Sequence, residues 1–107
     1  MIVPEGWRRG STPVNIFKVD IDLTDATVFV TYAQNGDVVI EKTGADLTIT
    51  ENTISTTLSQ QDTLKLDDSL LVEMQIRYVK PNGIADASNV ITASVGKILK
   101  DGVIEYV

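Results

Sequence analysis

The chain has 107 residues, of which 43% are hydrophobic and 22% charged, a balance that fits one globular domain and excludes wholesale disorder. Fifteen acidic residues against nine basic ones give a net charge of −6, which opposes nucleic-acid binding because counterion release from phosphates needs a basic face. Cysteine and histidine are both absent, which excludes disulfides, thiolate nucleophiles, Cys/His zinc sites and every His-dependent catalytic triad.

The first residues are not those of a secretory signal. Pro4, Glu5, Arg8 and Arg9 interrupt any apolar stretch after Met1. No run approaches the roughly 18 apolar residues of a membrane span. We therefore expect a product of the cytoplasm that contacts no membrane and leaves the cell only by a route such as lysis or virion assembly.

The first predicted strand follows the Gly-Ser-Thr-Pro run. From Phe17 to Leu23 every second residue is apolar, whereas Val14 and Ile16 have the opposite phase. This slip predicts a bulge, or a strand that changes its buried face. Thr24 then begins a turn.

The next segment predicts a hairpin. "ATVFVTYAQ" at 26–34 is apolar on both faces, as expected of a central strand, and "DVVIEKT" at 37–43 is the returning strand. Asn35 and Gly36 lie between them, and both residue types tolerate positive φ.

Two short strands and a helical turn follow. "LTIT" at 47–50 and "TISTTL" at 53–58 alternate, and "SQQD" at 59–62 has the spacing of a capping box. We expect one or two helical turns that cross between sheets, with Leu64 or Leu66 at the edge of the core.

The last predicted hairpin has the clearest alternation. The predicted strand covers 70–80, every second residue from Leu70 to Tyr78 is apolar, and Pro81, Asn82 and Gly83 predict the turn. The returning strand covers 84–95, with Ile91, Ala93 and Val95 on one face.

About seven strands at turn spacings of roughly eight to twelve residues predict an all-β fold, an Ig-like antiparallel β-sandwich with one short helical crossover. A small barrel is the alternative, because pattern alone does not separate a closed sheet from two packed ones. The predicted organisation is an N-terminal arm at 1–13, the sandwich at 14–95 and a C-terminal tail at 96–107 that packs on the sandwich or on a neighbour.

No motif predicts catalysis, a cofactor or a metal. Asp20 and Asp22 share one face of the predicted strand and Asp25 follows at the turn, but EF-hand spacing and its closing Glu are missing. A solvated polar face accounts for these carboxylates. Fifteen acids offer chance pairs for glycosidase chemistry without any nucleophile and base signature, so we expect no enzyme.

The two chain ends carry the candidate partner-binding residues. Trp7, Arg8 and Arg9 combine the residue types enriched at interaction hot spots with flanking Gly and Pro. The arm either docks on a neighbouring subunit or folds back, so that the tryptophan covers the open end of the sandwich. The tail poses the same choice, since it either closes a small hairpin or adds a strand to another copy. Its candidate residues are Ile98, Leu99 and Tyr106.

The order of several segments resembles the N-terminal domain of phage baseplate upper proteins and related small prophage proteins. The likeness covers nearly the whole chain and consists of these stretches: "RGSTP" at 9–13 leading into Phe17, "DLTDATV" at 22–28, "GDVVIEKTG" at 36–44, "TLSQQDTLKL" at 57–66 and "GKILKDG" at 96–102.

The resemblance implies a non-catalytic structural protein of a phage or prophage virion, a tail or baseplate component. It implies other virion proteins as partners, assembly into a homo-oligomer, and a location in the virion. That family's domain commonly begins a longer protein with receptor-binding modules, whereas this sequence stops at Val107. The alternative from the residues alone is a stand-alone carbohydrate-binding or adhesive β-sandwich, since such modules use exposed aromatic rings as stacking platforms.

Overall fold

The computed structural model describes residues 6–106 of the chain. Short strands, in which buried and exposed residues alternate, form two antiparallel sheets and one parallel strand pair. The elements in chain order are β1 (Trp7–Arg8), β2 (Val14–Lys18), β3 (Thr27–Gln34), β4 (Asp37–Thr43), a 3-10 turn (Gly44–Asp46), β5 (Thr48–Thr50), β6 (Thr53–Thr57), α1 (Gln60–Leu64), β7 (Val72–Val79), β8 (Ala85–Ala87), β9 (Ile91–Ala93) and β10 (Val95–Gly96).

The strand order within each sheet identifies the fold. One sheet has the order β2-β6-β5, and the other has β4-β3-β7 with both β8 and β9 paired to β7. These are the B-E-D and C′-C-F-G orders of an immunoglobulin sandwich. The predicted all-β Ig-like sandwich with one short helical crossover is therefore confirmed. The alternative of a small barrel is wrong, because no strand pairing within the described residues joins the two main sheets into one closed sheet.

One hydrophobic core lies between the two sheets. Phe17 and Ile54 enter it from the three-stranded sheet, and they meet the inward residues of β3 and β7. Since the chain has no cysteine, the interior contains no inter-sheet disulfide. The fifteen buried apolar residues of this core are Trp7, Phe17, Leu23, Val28, Val30, Tyr32, Ile40, Ile54, Leu58, Leu66, Val72, Met74, Ile76, Ala93 and Val95.

The first long strand differs from its prediction. β2 ends at Lys18 rather than at Leu23, and its register with β6 is continuous, without a bulge. Asn15 and Phe17 face the core, whereas Val14 and Ile16 face solvent. The change of hydrophobic phase in the sequence therefore arises because a polar residue, Asn15, occupies an inward position of a regular strand. A search for alternating apolar residues does not detect such a position.

Both predicted hairpin turns are present. Asn35 and Gly36 have φ values of 51° and 84°, and this pair of positive values fits the two-residue turn between β3 and β4. After β7, the backbone N–H of Gly83 donates to the carbonyl of Lys80, and Gly83 has φ 87°. The turn residues were therefore sufficient to position both hairpins.

The predicted capping box starts helix α1. The Ser59 hydroxyl accepts from the backbone N–H of Asp62, and the carboxylate of Asp62 accepts from the backbone N–H of Ser59 at 2.9 Å. Of the two leucines predicted at the core edge, Leu66 is buried and Leu64 is half-buried. The helix crosses from β6 to β7 and covers one end of the sandwich.

The predicted returning strand at 84–95 is divided into β8, β9 and β10. Ser88 causes the first break, because its hydroxyl accepts from the backbone N–H of Ile76 at 3.0 Å while its own N–H donates to the Ile76 carbonyl. The side chain thus replaces a ladder group, as in a bulge. Ala93 and Val95 are buried and Ile91 is half-buried, as their common face predicts.

The predicted arm contributes a strand of its own. β1 pairs in parallel with β10, with Trp7 opposite Val95 and Arg8 opposite Gly96. The sandwich therefore begins before residue 14 and its last strand reaches residue 96, while residues 1–5 of the predicted arm and Val107 of the predicted tail lie outside the described residues. No helix within 6–106 has the length and apolar character needed to cross a membrane.

Candidate protein interaction surface

Trp7 lies inside the sandwich. Its side chain is only 7% exposed, and its ring centroid is 5.8 Å from that of Tyr32 at an interplanar angle of 59°. The backbone N–H of Trp7 donates to the carbonyl of Ser94 at 3.0 Å. Of the two alternatives for this tryptophan, the structure has the second, in which it covers the end of its own sandwich.

Arg8 is exposed beside the last strand. Its guanidinium donates to the carbonyl of Lys97 at 3.2 Å, and its side chain lies over Gly96, where an added Cβ would approach the Arg8 Cγ to 3.1 Å. Arg8 therefore borders the point where β10 ends and the tail begins.

Arg9 joins three parts of the chain. Its Nε and Nη2 donate to the carbonyls of Leu66 and Leu64, both at 3.0 Å, and its Nη1 lies 3.2 Å from the carboxylate of Asp101. The last carbonyls of a helix lack partners within that helix, and the guanidinium of Arg9 satisfies that of Leu64, the last residue of α1, together with the carbonyl of Leu66 just after the helix. Arg9 thus connects the end of α1 to the tail.

The tail, residues 97–106, forms no strand and no hairpin. Its backbone is fixed at Ile104, whose N–H donates to the Gln60 side-chain oxygen at 2.9 Å and whose carbonyl accepts from the Gln60 amide at 3.0 Å. Ile98 is half-buried close to Gly10. The tail is therefore attached to the α1 end of the sandwich at a few points, without a ladder.

Most apolar side chains of the tail face solvent. Leu99 is 99% exposed and Tyr106 is fully exposed, while Val103 and Ile104 are 51% and 58% exposed. We call residues 97–106 together with Arg8 the tail surface. It contains four of the six predicted partner-binding residues, Arg8, Ile98, Leu99 and Tyr106, and borders Arg9, whereas Trp7 is separated from it in the core. An apolar segment with free backbone groups is suited to docking on another protein, including by strand addition.

The three aspartates weighed as metal ligands do not form a site. The carboxylate of Asp22 accepts from both the hydroxyl and the backbone N–H of Thr24, and these bonds hold the pKa of Asp22 below its ordinary value of 3.8. Within residues 6–106 no three His, Cys, Asp or Glu side chains are grouped so as to hold a metal ion. Asp22 therefore has a local role in the turn after β2.

A second surface was not predicted from the sequence. A cleft of about 270 Å³ opens between the layers, beyond the end of β2 and beside β7 and β8. We call it the inter-sheet cleft, and its lining residues are Lys18, Val19, Asp20, Ile21, Ile76, Tyr78, Asp86, Ala87, Ser88 and Asn89. Val19 and Ile21 were predicted as inward residues of a continuous strand. They line the cleft because β2 ends before them, at Lys18, and the sequence pattern did not indicate that end.

Comparisons with known proteins concern the fold alone. No family model matches the chain, and no curated protein sequence matches it. The chain is similar in structure to the Ig-like domain of mouse leukocyte-associated immunoglobulin-like receptor 1, crystallised as a strand-swapped dimer, with a TM-score of 0.46 and 13% identity over 89% of this chain and 93% of that one. It is also similar to the V domain of amphioxus IgVJ-C2, with a TM-score of 0.36 and 12% identity over 85% and 98% of the two chains.

Proposed function

We propose that this protein is a non-catalytic structural component of a phage or prophage virion, part of its tail or baseplate, and that it acts by docking to copies of itself and to other virion proteins through the tail surface. The observation that carries the proposal is the exposure of Leu99 and Tyr106, which cover none of the chain's own core. The resemblance in segment order supplies the virion context.

The energetics of the tail surface support docking. Fully burying a leucine side chain is worth about 1.5–3 kcal/mol relative to leaving it exposed, and an aromatic residue buries about 150–250 Å². These two side chains, with the half-exposed Val103 and Ile104, are apolar groups within one short segment that a partner would remove from water. Arg8 at its border adds a charged group of the type common at interaction hot spots.

The self-association part is tested on the purified full chain. We expect light scattering coupled to gel filtration to show a defined oligomer at micromolar concentration, and Leu99→Ser to weaken it because burial of this side chain is lost. Val38→Ser is the matched control, since Val38 is also apolar and 62% exposed but lies on β4, outside the tail surface. A strict monomer at all concentrations would contradict self-association.

The virion part is tested on particles. Prophage induction in the producing bacterium, followed by gradient purification of the particles and peptide mass spectrometry, should recover this chain at a fixed ratio to the tail proteins. Its recovery only from the soluble lysate, together with glycan binding that is lost in Tyr106→Ala, would favour the adhesive alternative.

A further inference from the structure

The inter-sheet cleft has the surface of a strand-binding site. Ile76 at its floor is buried, and Val19, Ile21 and Tyr78 are half-buried around it. Within residues 6–106, β8 pairs only with β7, and β2 reaches the cleft only with its last residue, Lys18. β8 therefore presents an unpaired edge beside the apolar floor, and such an edge is where an added extended segment gains both backbone hydrogen bonds and side-chain burial.

The cleft also offers polar groups for the tip of an inserted side chain. Asp20, Asp86 and Asn89 supply oxygen acceptors, and Lys18 supplies one cation. A volume of about 270 Å³ lies just below the range of small-ligand pockets, so it suits one large side chain and its neighbour rather than a drug-sized molecule. An aromatic ring that carries one hydrogen-bond donor matches both the apolar floor and these acceptors.

The tail surface supplies such a side chain at the other end of the molecule. Tyr106 is fully exposed, and the contact between Gln60 and Ile104 holds the tail beside α1. Only two described residues follow that contact, and they extend at most about 7 Å. At the α1 end of β2, the carbonyl of Pro13 accepts from the backbone N–H of Leu58, just before the helix. The inter-sheet cleft begins at the other end of β2, about 14 Å along the strand from Val14. The tail thus contacts a different end of its own sandwich.

Building on the proposed function, we infer that the tail of one copy inserts Tyr106 into the inter-sheet cleft of a second copy. The phenol O–H donates to a carboxylate of the rim, Asp20 or Asp86, and the ring packs on Tyr78. Glu105 then lies at the mouth of the cleft on the side of Lys18, the one cation among the lining residues, and away from the carboxylates of Asp20 and Asp86. Because the two contacting surfaces differ, the association is head-to-tail, and repetition closes a ring or extends a filament.

The test uses two full-length variants with complementary defects. Tyr106→Ser removes the inserted ring, and Asn89→Trp fills the cleft from an exposed position without deleting a core side chain. We expect each variant alone to associate at least tenfold more weakly than the wild type. Mixed in equal amounts, they should form a 1:1 heterodimer and no larger species, since one chain retains a cleft and the other a tail. Each variant must keep the circular dichroism spectrum and melting temperature of the wild type.

A crosslink tests the contact directly, because the chain has no cysteine of its own. Oxidation of a mixture of Glu105→Cys and Lys18→Cys chains, both of which keep Tyr106 and the rim carboxylates, should give a disulfide-linked heterodimer, and a mixture of Val38→Cys and Lys18→Cys should not. Tyr106→Phe should associate more strongly than Tyr106→Ser, since it keeps the ring and loses only the phenol donor.

The outcomes separate this inference from the proposed function. A monomeric wild type overturns the inference and the self-association part of the proposed function, whereas the virion part is decided by the particle experiment. A wild-type oligomer that neither variant weakens overturns the inference and leaves self-association standing. Loss of assembly in Asn89→Trp but not in Tyr106→Ser would show that the cleft accepts another segment, which also overturns the inference.

Discussion

At the scale of single residues, the most informative group is the buried polar pair beside the only tryptophan. Asn15 is 1% exposed, and its side-chain amide donates to the Tyr32 hydroxyl at 2.8 Å while its Oδ1 has no partner among the described residues. An unpaired buried polar atom destabilises the folded state by about 1–3 kcal/mol. The sandwich therefore contains a polar site at its centre where apolar packing would be stronger.

Removing the polar group of one member of the Asn15–Tyr32 pair should lower the free energy of unfolding more than removing the polar groups of both members. Tyr32→Phe leaves the whole Asn15 amide unpaired, so we expect it to lower the free energy of unfolding by about 1–3 kcal/mol. The double change Asn15→Val with Tyr32→Phe should recover most of that loss, because no buried polar group remains. Urea denaturation followed by Trp7 fluorescence measures both. Equal stability of the single and double variants would contradict this account.

Tyr32 also makes the protein sensitive to alkali. Burial raises its pKa to about 12, against the hydrogen bond from Asn15, which lowers it, and with a further increase from the negative charge of Asp62. The folded state therefore holds this proton more tightly than the unfolded chain, whose tyrosine has a pKa of 10.0. The resulting stability is present below pH 10 and is lost as pH rises towards 12. We expect the melting temperature to fall over this window in the wild type and less in Tyr32→Phe.

At the scale of elements, one ion pair attaches the helix to a sheet. Lys42 on β4 and Asp62 on α1 are 2.8 Å apart, and both side chains are mostly buried. Burial disfavours the charged carboxylate of Asp62, but hydrogen bonds from Lys42 and the Ser59 backbone, with the Lys42 charge, outweigh it and lower the pKa of Asp62 below 3.8. The same carboxylate thus caps α1 and binds the sheet.

Acid should loosen this attachment. Because the pKa of Asp62 is lowered in the folded state, its contribution is present above about pH 4 and is lost as the pH falls through the lowered value. Lys42→Met should therefore reduce the melting temperature at pH 7 more than at pH 2. Lys65→Met is the control, since Lys65 is an exposed cation at the end of the same helix. An equal reduction at both pH values would count against the pair.

Elements with local turn chemistry were predictable, and elements set by distant contacts were not. The hairpin at Asn35 and the capping box at Ser59 each depend on residues within a few positions of one another. The early end of β2 and the strand at Trp7 depend on pairing with segments far along the chain. For the candidate site, the apolar character of Leu99 and Tyr106 indicated partner-binding residues but left open whether the tail packs on its own sandwich, whereas the inter-sheet cleft exists only once both layers are assembled.

At the scale of the whole molecule, the tail is separable from the fold. Residues 97–106 contribute no strand, and the core residues all lie before Gly96. A chain ending at Gly96 should therefore unfold cooperatively, with a moderate decrease in melting temperature from the lost contacts of Arg9 with Asp101 and of Gln60 with Ile104. It should also be monomeric. Loss of the folded state in calorimetry would show that the tail is part of the core.

The parallel pairing of β1 with β10 determines how the protein would bear a pulling force. The chain enters β1 at one end of this strand pair and leaves β10 at the opposite end, because the two strands run in the same direction. Tension between the flanking segments would load the bonds from Trp7 to Ser94 and from Arg9 to Gly96 together, in shear, rather than one after another as in unzipping. A force applied through the two flanking segments would therefore meet its first resistance at the β1–β10 pair, where several hydrogen bonds must break at once.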